Sequence, residues 1–226
     1  MAILDRELCD LCRGLYEYPG DLPVTWDYKE ASDATDYAFA VKSINGVTVV
    51  VSRGSADPLD WIHDFEAFPV TPGDAPQFGP VHFGFSIGAK ATAQKVLAKA
   101  PYKKLIVVTG HSLGAAHTDG LTGYLKQAGF PPLARVVFGE PKPGYQQFAD
   151  YIKDVPARAY RNAAGVIGDP VTAVPFRLTE LPWVHPCAQI DIIGRPHDPD
   201  AWGIFAPHRI QYYAGAMAST TTGTNA

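Results

Sequence analysis

Apolar and polar positions run along this chain in two rhythms, and the switches between them mark its elements. Leu4, Leu8, Leu11 and Leu15 recur at helical spacing, so residues 3–17 read as an amphipathic helix ending near Pro19-Gly20. Residues 37–44 alternate with period two and read as a strand. Asn45-Gly46 is a strong hairpin signal and returns the chain into a second strand over 47–52. Asp57-Pro58 is a helix start, with an acid at the N-cap and proline at the first helical position. Trp61, Phe65 and Phe68 then fall at i, i+4 and i+7, with Asp57, Asp60 and Asp64 on the other side. After a loop over 72–80, Val81 to Phe85 lead into a helix of small residues that stops before Pro101. Strands are expected over 103–109, 135–139, 157–161 and within 185–193, and helices over 113–128, 145–153 and from His208 onward. Alternating strands and helices opened by a hairpin describe one α/β domain over 1–218. The Ser/Thr/Gly-rich stretch 219–226 reads as a disordered tail.

One stretch adds chemistry to this pattern. Leu105 to Val108 form an apolar run that reads as a buried strand, and Gly110-His-Ser-Leu-Gly114 follows, fitting G-x-S-x-G between that strand and the next helix. This is the context in which a tight turn forces Ser112 into a strained backbone and lifts its hydroxyl above the sheet. The Leu113 amide, at the helix N-terminus, faces the same space and can bind a developing oxyanion. Such a serine needs an acid and a histidine further along the chain, in that order. Candidate acids are Asp150, Asp154, Asp169, Asp191, Asp198 and Asp200. Asp169 is favoured because it follows a strand, in a loop bracketed by Gly168 and Pro170. Of His185, His197 and His208, the last sits between a long loop and an aromatic helix, where its imidazole can reach the elbow. His111 reads as elbow support, His117 as helix surface and His82 as a structural hydrogen-bonder.

Composition narrows the classes. The chain has 226 residues, 46% of them hydrophobic, and a net charge of −4, enough for a substantial core and without a basic block for nucleic acid. No apolar run reaches the length of a membrane span, and the first residues lack a signal-peptide pattern. Three cysteines cannot all pair; Cys9 and Cys12 form C-x-x-C within the helical leucine pattern and read as two thiols one turn apart. A reduced chain without a leader is expected to be cytoplasmic.

Several ordered motifs resemble the class 3 lipases, the fungal-type triacylglycerol lipases, and their feruloyl esterase relatives. The elbow is one. Ser52-Arg-Gly-Ser55 with Asp60-Trp-Ile-His-Asp64 resembles that family's oxyanion-and-lid segment, and Val81-His-Phe-Gly-Phe85 its V-H-x-G-F. Phe138-Gly-Glu-Pro141 with Gly144 and Phe148 resembles its F-G-x-P-R-x-G-x-x-x-F, with Lys142 in place of arginine. Asn162, Asp169-Pro-Val and Val174-Pro175 resemble the segment bearing the acid, and Trp183-Val-His185 a structural motif, which leaves His208 as the base. The resemblance implies an α/β-hydrolase fold: a mixed, mostly parallel central sheet opened by an antiparallel hairpin, helices on both faces and a short helical lid. It implies Ser112 as nucleophile, Asp169 as acid and His208 as base, with oxyanion donors at Ser55 and Leu113. Leu59, Trp61, Ile62, Phe65, Ile204 and Phe205 are the expected acyl-pocket walls. The expected activity is hydrolysis of acylglycerols or short to medium acyl esters, needing no metal or organic cofactor. A phospholipase A1 or feruloyl-type esterase would use the same residues, and a non-catalytic binding module on the same fold is the alternative from another class. The 57–68 helix is expected to act as a lid and to touch a lipid–water interface transiently.

Overall fold

A computed structural model describes residues 2–18, 20–21, 23–32, 37–54, 68–100, 102, 104–175, 182–194 and 203–224. Its centre is a seven-stranded sheet whose strands are, from one edge to the other, β10 (Gln189–Ile192), β9 (Ala157–Asn162), β8 (Ala134–Phe138), β7 (Ile106–His111), β4 (Val47–Arg53), β3 (Tyr37–Ile44) and β2 (Tyr28–Ser32). The short strands β5 (Pro69–Val70) and β6 (Val81–His82) pair apart from it. β2, β3 and β4 are antiparallel, and β4, β7, β8, β9 and β10 run parallel. The hairpin forms where expected: Asn45 and Gly46 both take positive φ, 52° and 80°, the turn that matches strand twist.

Strand alternation divides the core between the two faces. Ala40, Val49, Val51, Val107, Val136 and Phe138 pack under the helices Asp5–Tyr16 and Ile210–Met217, against Leu8, Leu15, Ile210 and Tyr213. Phe39, Val41, Val50, Ile106 and Val108 point the other way, toward the helices Ala89–Lys99, Leu113–Gln127 and Gln146–Ile152. Each valine, leucine, isoleucine or phenylalanine so buried contributes roughly 1.5–3 kcal/mol. Both faces of the sheet are therefore covered, as a parallel sheet requires.

Several boundaries differ from the sequence reading. β2 was not anticipated. Its Tyr-Lys-Glu-Ala-Ser sequence carries little apolar signal because an edge strand pairs on one side only. The helix expected after Val81 is two, Phe83–Ser86 and Ala89–Lys99, broken at Ile87-Gly88. Leu105 stands outside β7, which runs on to His111. Near the end of the chain, residues 223–224 return to its beginning. There β11 (Gly223–Thr224) pairs with β1 (Ile3–Leu4), and Asp5 of the adjoining helix binds Arg158 and the Tyr160 hydroxyl. Cys9 and Cys12 lie buried and unpaired in the first helix, so the C-x-x-C is core packing.

Candidate active site

β7 delivers the chain to its turn at His111, and the next helix begins at Leu113. Ser112 between them has φ 62° and ψ −134°. A backbone so placed costs on the order of 1–3 kcal/mol for a non-glycine residue. The surroundings enforce it. A Cβ at Gly114 would stand 2.4 Å from the Ser52 carbonyl oxygen, and one at Gly110 would stand 2.4 Å from that of Gly114, so only glycine lets the turn close onto β4. The Ser112 amide donates to the Phe138 carbonyl at 3.0 Å, which anchors the turn to β8.

The structure brings Ser112, His208 and Asp169 together from three separate parts of the chain. Ser112 Oγ lies 2.7 Å from His208 Nε2, and His208 Nδ1 lies 2.7 Å from Asp169 Oδ2. A carboxylate only accepts, so Nδ1 carries the hydrogen and the serine hydroxyl donates to Nε2. Asp169 caps the short turn Pro170–Ala173, its Oδ1 accepting the Val171 amide at 2.9 Å. Burial pushes its carboxyl up, but His208 and the Tyr213 and Val171 donors more than offset this and hold it below the usual range. Asn162 ties the two loops together. Its amide group donates to the Gly194 and Pro207 carbonyls at 2.8 and 3.0 Å, and its oxygen accepts from the Ala164 and Gly194 amides.

Beneath the loop of Asp169 is a buried charge cluster. Arg135 bonds Asp119 and, at 2.5 Å, Glu140, all three inaccessible to solvent. Burial drives the Asp119 carboxyl well up, while the Arg135 charge holds Glu140 below its ordinary value. His185 completes the set, meeting Glu140 Oε2 at 3.2 Å and donating from Nε2 to the Thr172 carbonyl at 2.9 Å. Lys142, the residue that departs from the family's arginine, donates to the Ala173 carbonyl at 2.7 Å. Both side chains brace the turn that begins at Asp169.

Other expected residues fall as follows. Ser55, Leu59, Trp61, Ile62, Phe65 and His197 lie outside the described residues. Ile204 and Phe205 sit on the turn Gly203–His208, Ile204 facing solvent and Phe205 half-buried. His185 precedes β10 and does not enter the sheet. His117, expected on a helix surface, is buried against the neighbouring helix, and burial lowers its pKa to about 3. Tyr213, Glu140 and Arg135 were not legible as site residues, since nothing local distinguishes them from core or surface positions.

A serine on a strand-to-helix elbow, above a parallel sheet entered by a hairpin, defines an α/β-hydrolase. A family model described as lipase (class 3) matches residues 49–179, more than half of the chain. The chain belongs to the class 3 lipase family. It is 32% identical, over 133 residues, to the secreted mono- and diacylglycerol lipase 1 of Fusarium solani. That match covers 56% of this chain and 39% of the relative, so it spans well under half of the relative's length. Among solved structures, the mono- and diacylglycerol lipase from Aspergillus oryzae is similar with a TM-score of 0.63 and 24% identity, over 77% of this chain and 65% of that one. The Rhizomucor miehei lipase propeptide complex is similar with a TM-score of 0.64 and 22% identity, over 85% and 70%. Both likenesses show the fold. The expectation of a cytoplasmic protein finds no support, since the curated relative is named as secreted. Among the described residues no helix is long and apolar enough to cross a membrane.

Proposed function

We propose that this chain is a serine carboxylic-ester hydrolase that cleaves acylglycerols or short to medium acyl esters through an acyl-enzyme on Ser112. The observation that carries the reading is the unbroken contact from Ser112 Oγ through the His208 ring to Asp169, each link 2.7 Å. Two relatives are named as mono- and diacylglycerol lipases, which supports the substrate class.

In this reading His208 takes the hydroxyl proton as Ser112 Oγ attacks the ester carbonyl. Asp169 holds the tautomer and stabilises the imidazolium. The Leu113 amide, first in the helix after the elbow, donates to the oxyanion, with Ser55 as the second donor; loss of one such donor costs on the order of 10²–10³ in turnover. His208 then gives its proton to the departing alcohol. A water, activated by the same imidazole, frees the acid and returns Ser112. Ser112 and His208 have no exposed surface, so substrate reaches them only after covering atoms move. The 57–68 segment, with its aromatic and acidic sides, is our candidate for that cover. The unit that does this work is proposed to be one domain over residues 1–218.

The test is hydrolysis of a nitrophenyl ester chain-length series, mono-, di- and triacylglycerols, a phospholipid and a ferulate ester. Turnover should be highest on an acylglycerol or a short to medium acyl ester and absent in Ser112→Ala. Preference for phospholipid or ferulate would redirect the substrate class, and full activity in Ser112→Ala would end the reading.

A further inference from the structure

The first helix lies outside the stretch that the family model matches, yet it ends against the elbow. Its last residue, Tyr16, places its hydroxyl 2.7 Å from His111 Nδ1. The opposite nitrogen, His111 Nε2, lies 2.8 Å from the backbone carbonyl of His208. The two imidazoles also stack, with centroids 4.7 Å apart and planes 27° apart.

These contacts leave one assignment of hydrogens. A carbonyl only accepts, so Nε2 of His111 carries the hydrogen and donates it. A neutral imidazole then has a bare Nδ1, and the Tyr16 O–H must donate to it. Burial holds His111 neutral by lowering its pKa to about 3, and burial pushes the Tyr16 phenol well above its ordinary value, so both roles persist through the working range of an ester hydrolase. Beside Gly54, at the end of β4, the Arg53 guanidinium lies over the Tyr16 ring, 5.9 Å from its centroid. Gly54 in turn packs on the start of the elbow helix, where a methyl group in its place would stand 2.9 Å from the Leu113 nitrogen. Tyr16 therefore touches both sides of the site: the end of β4 beside the Leu113 amide, and through His111 the main chain of the base.

We propose that Tyr16 and His111 are positioning residues, Tyr16 fixing the His111 tautomer so that His111 holds the backbone and ring face of His208 with Nε2 on Ser112. His208 ends the short turn Gly203–His208, and Asp169 and Ser112 hold only the two nitrogens of its ring. The carbonyl bond and the stack fix the remaining freedom. The role rests on the reading of Ser112 and His208 as nucleophile and base. A misplacement of about 1 Å in such a pair can cost on the order of 10²-fold.

The experiment uses Tyr16→Phe, His111→Gln and His111→Phe, with Tyr18→Phe as a control that keeps the ring stacked on Tyr16. Each is read by kcat and KM on a soluble nitrophenyl ester, by the rate of fluorophosphonate labelling of Ser112, and by the melting temperature. Tyr16→Phe should lower kcat and the labelling rate about tenfold with KM within about twofold, because only alignment is lost. His111→Phe, which keeps a stacked ring and loses both hydrogen bonds, should fall about a hundredfold. His111→Gln can donate to the carbonyl and accept from Tyr16, and should recover to within about fivefold of the unaltered chain. Tyr18→Phe should match the unaltered chain. Labelling of Tyr16→Phe at the unaltered rate, or equal losses for Gln and Phe at position 111, would overturn the positioning role. Failure to label Ser112 in the unaltered chain would instead overturn the nucleophile assignment on which it rests.

Discussion

The Tyr213 hydroxyl donates to Asp169 Oδ2 at 2.6 Å, the same oxygen that lies 2.7 Å from His208 Nδ1. The phenol oxygen also accepts the Asn162 amide at 3.0 Å, so Tyr213 is committed from both sides. Burial would favour a neutral Asp169, and this donor helps to keep it charged. Tyr213→Phe removes a hydrogen bond to a charged group, a contribution of about 1.5–3 kcal/mol. The Asp169 pKa should then rise. Because the charged carboxylate is the active form, the acidic limb of the kcat/KM profile should move to higher pH, with the loss of activity growing toward its acid end. A pH–rate profile on a soluble ester checks this; an unmoved acidic limb would contradict it.

Asn162 uses both donors and both lone pairs of its amide, on Gly194, Pro207 and Ala164. Asn162→Asp keeps the shape but turns the donors into acceptors facing two carbonyls. We expect a loss of about 2–4 kcal/mol by urea unfolding, larger than most surface substitutions give, together with a fall in kcat as the loops of Asp169 and His208 part.

Removing one member of the buried cluster leaves others unpaired. Arg135→Met strands a charged Glu140 beside Asp119 and should cost about 3–5 kcal/mol. Replacing Arg135, Asp119 and Glu140 together with apolar residues of similar volume should cost less than that single change. Denaturant melts of the two variants provide the comparison, and equal losses would argue that the charges are incidental.

Acid should destabilise the fold through its buried histidines. His111 and His117 both have pKa values of about 3 when folded, against about 6.5 when exposed. Between those values the unfolded chain binds more protons, so stability falls as pH drops below about 6.5 and each histidine adds about 1.4 kcal/mol per pH unit to the slope. The depressed Asp169 adds loss in the same direction as pH falls through its folded pKa. Asp119, whose pKa is raised, acts the other way. His117→Phe should flatten the dependence between pH 6 and 4.5 by about one proton, measured as unfolding free energy against pH.

Much of this was legible in the chain, for reasons that differ by element. The β3–β4 hairpin and the elbow were readable because Asn45-Gly46 and Gly110-His-Ser-Leu-Gly114 encode backbone geometry locally. Asp169 and His208 were reachable from chain order and loop context. The expectation for His117 failed because helical spacing does not say which neighbour covers a face, and here Gly88, at the start of the helix Ala89–Lys99, packs close to it. Tyr16, Tyr213 and the Arg135 cluster were hidden for a common reason. Tyr16 meets a partner 95 residues away, Tyr213 one 44 away, and Glu140 of the cluster meets His185 45 residues on, so these roles exist only once the sheet has brought β7, β8 and the two end helices together.

The central claim is that Ser112 is a nucleophile activated by His208. The most direct measurement is treatment of the unaltered chain with a fluorophosphonate, followed by peptide mass spectrometry. The account predicts one covalent adduct, on the peptide carrying Ser112, and a rate that falls by at least about 10³ in His208→Ala. An adduct elsewhere, or labelling of Ser112 at an unchanged rate without His208, would contradict it.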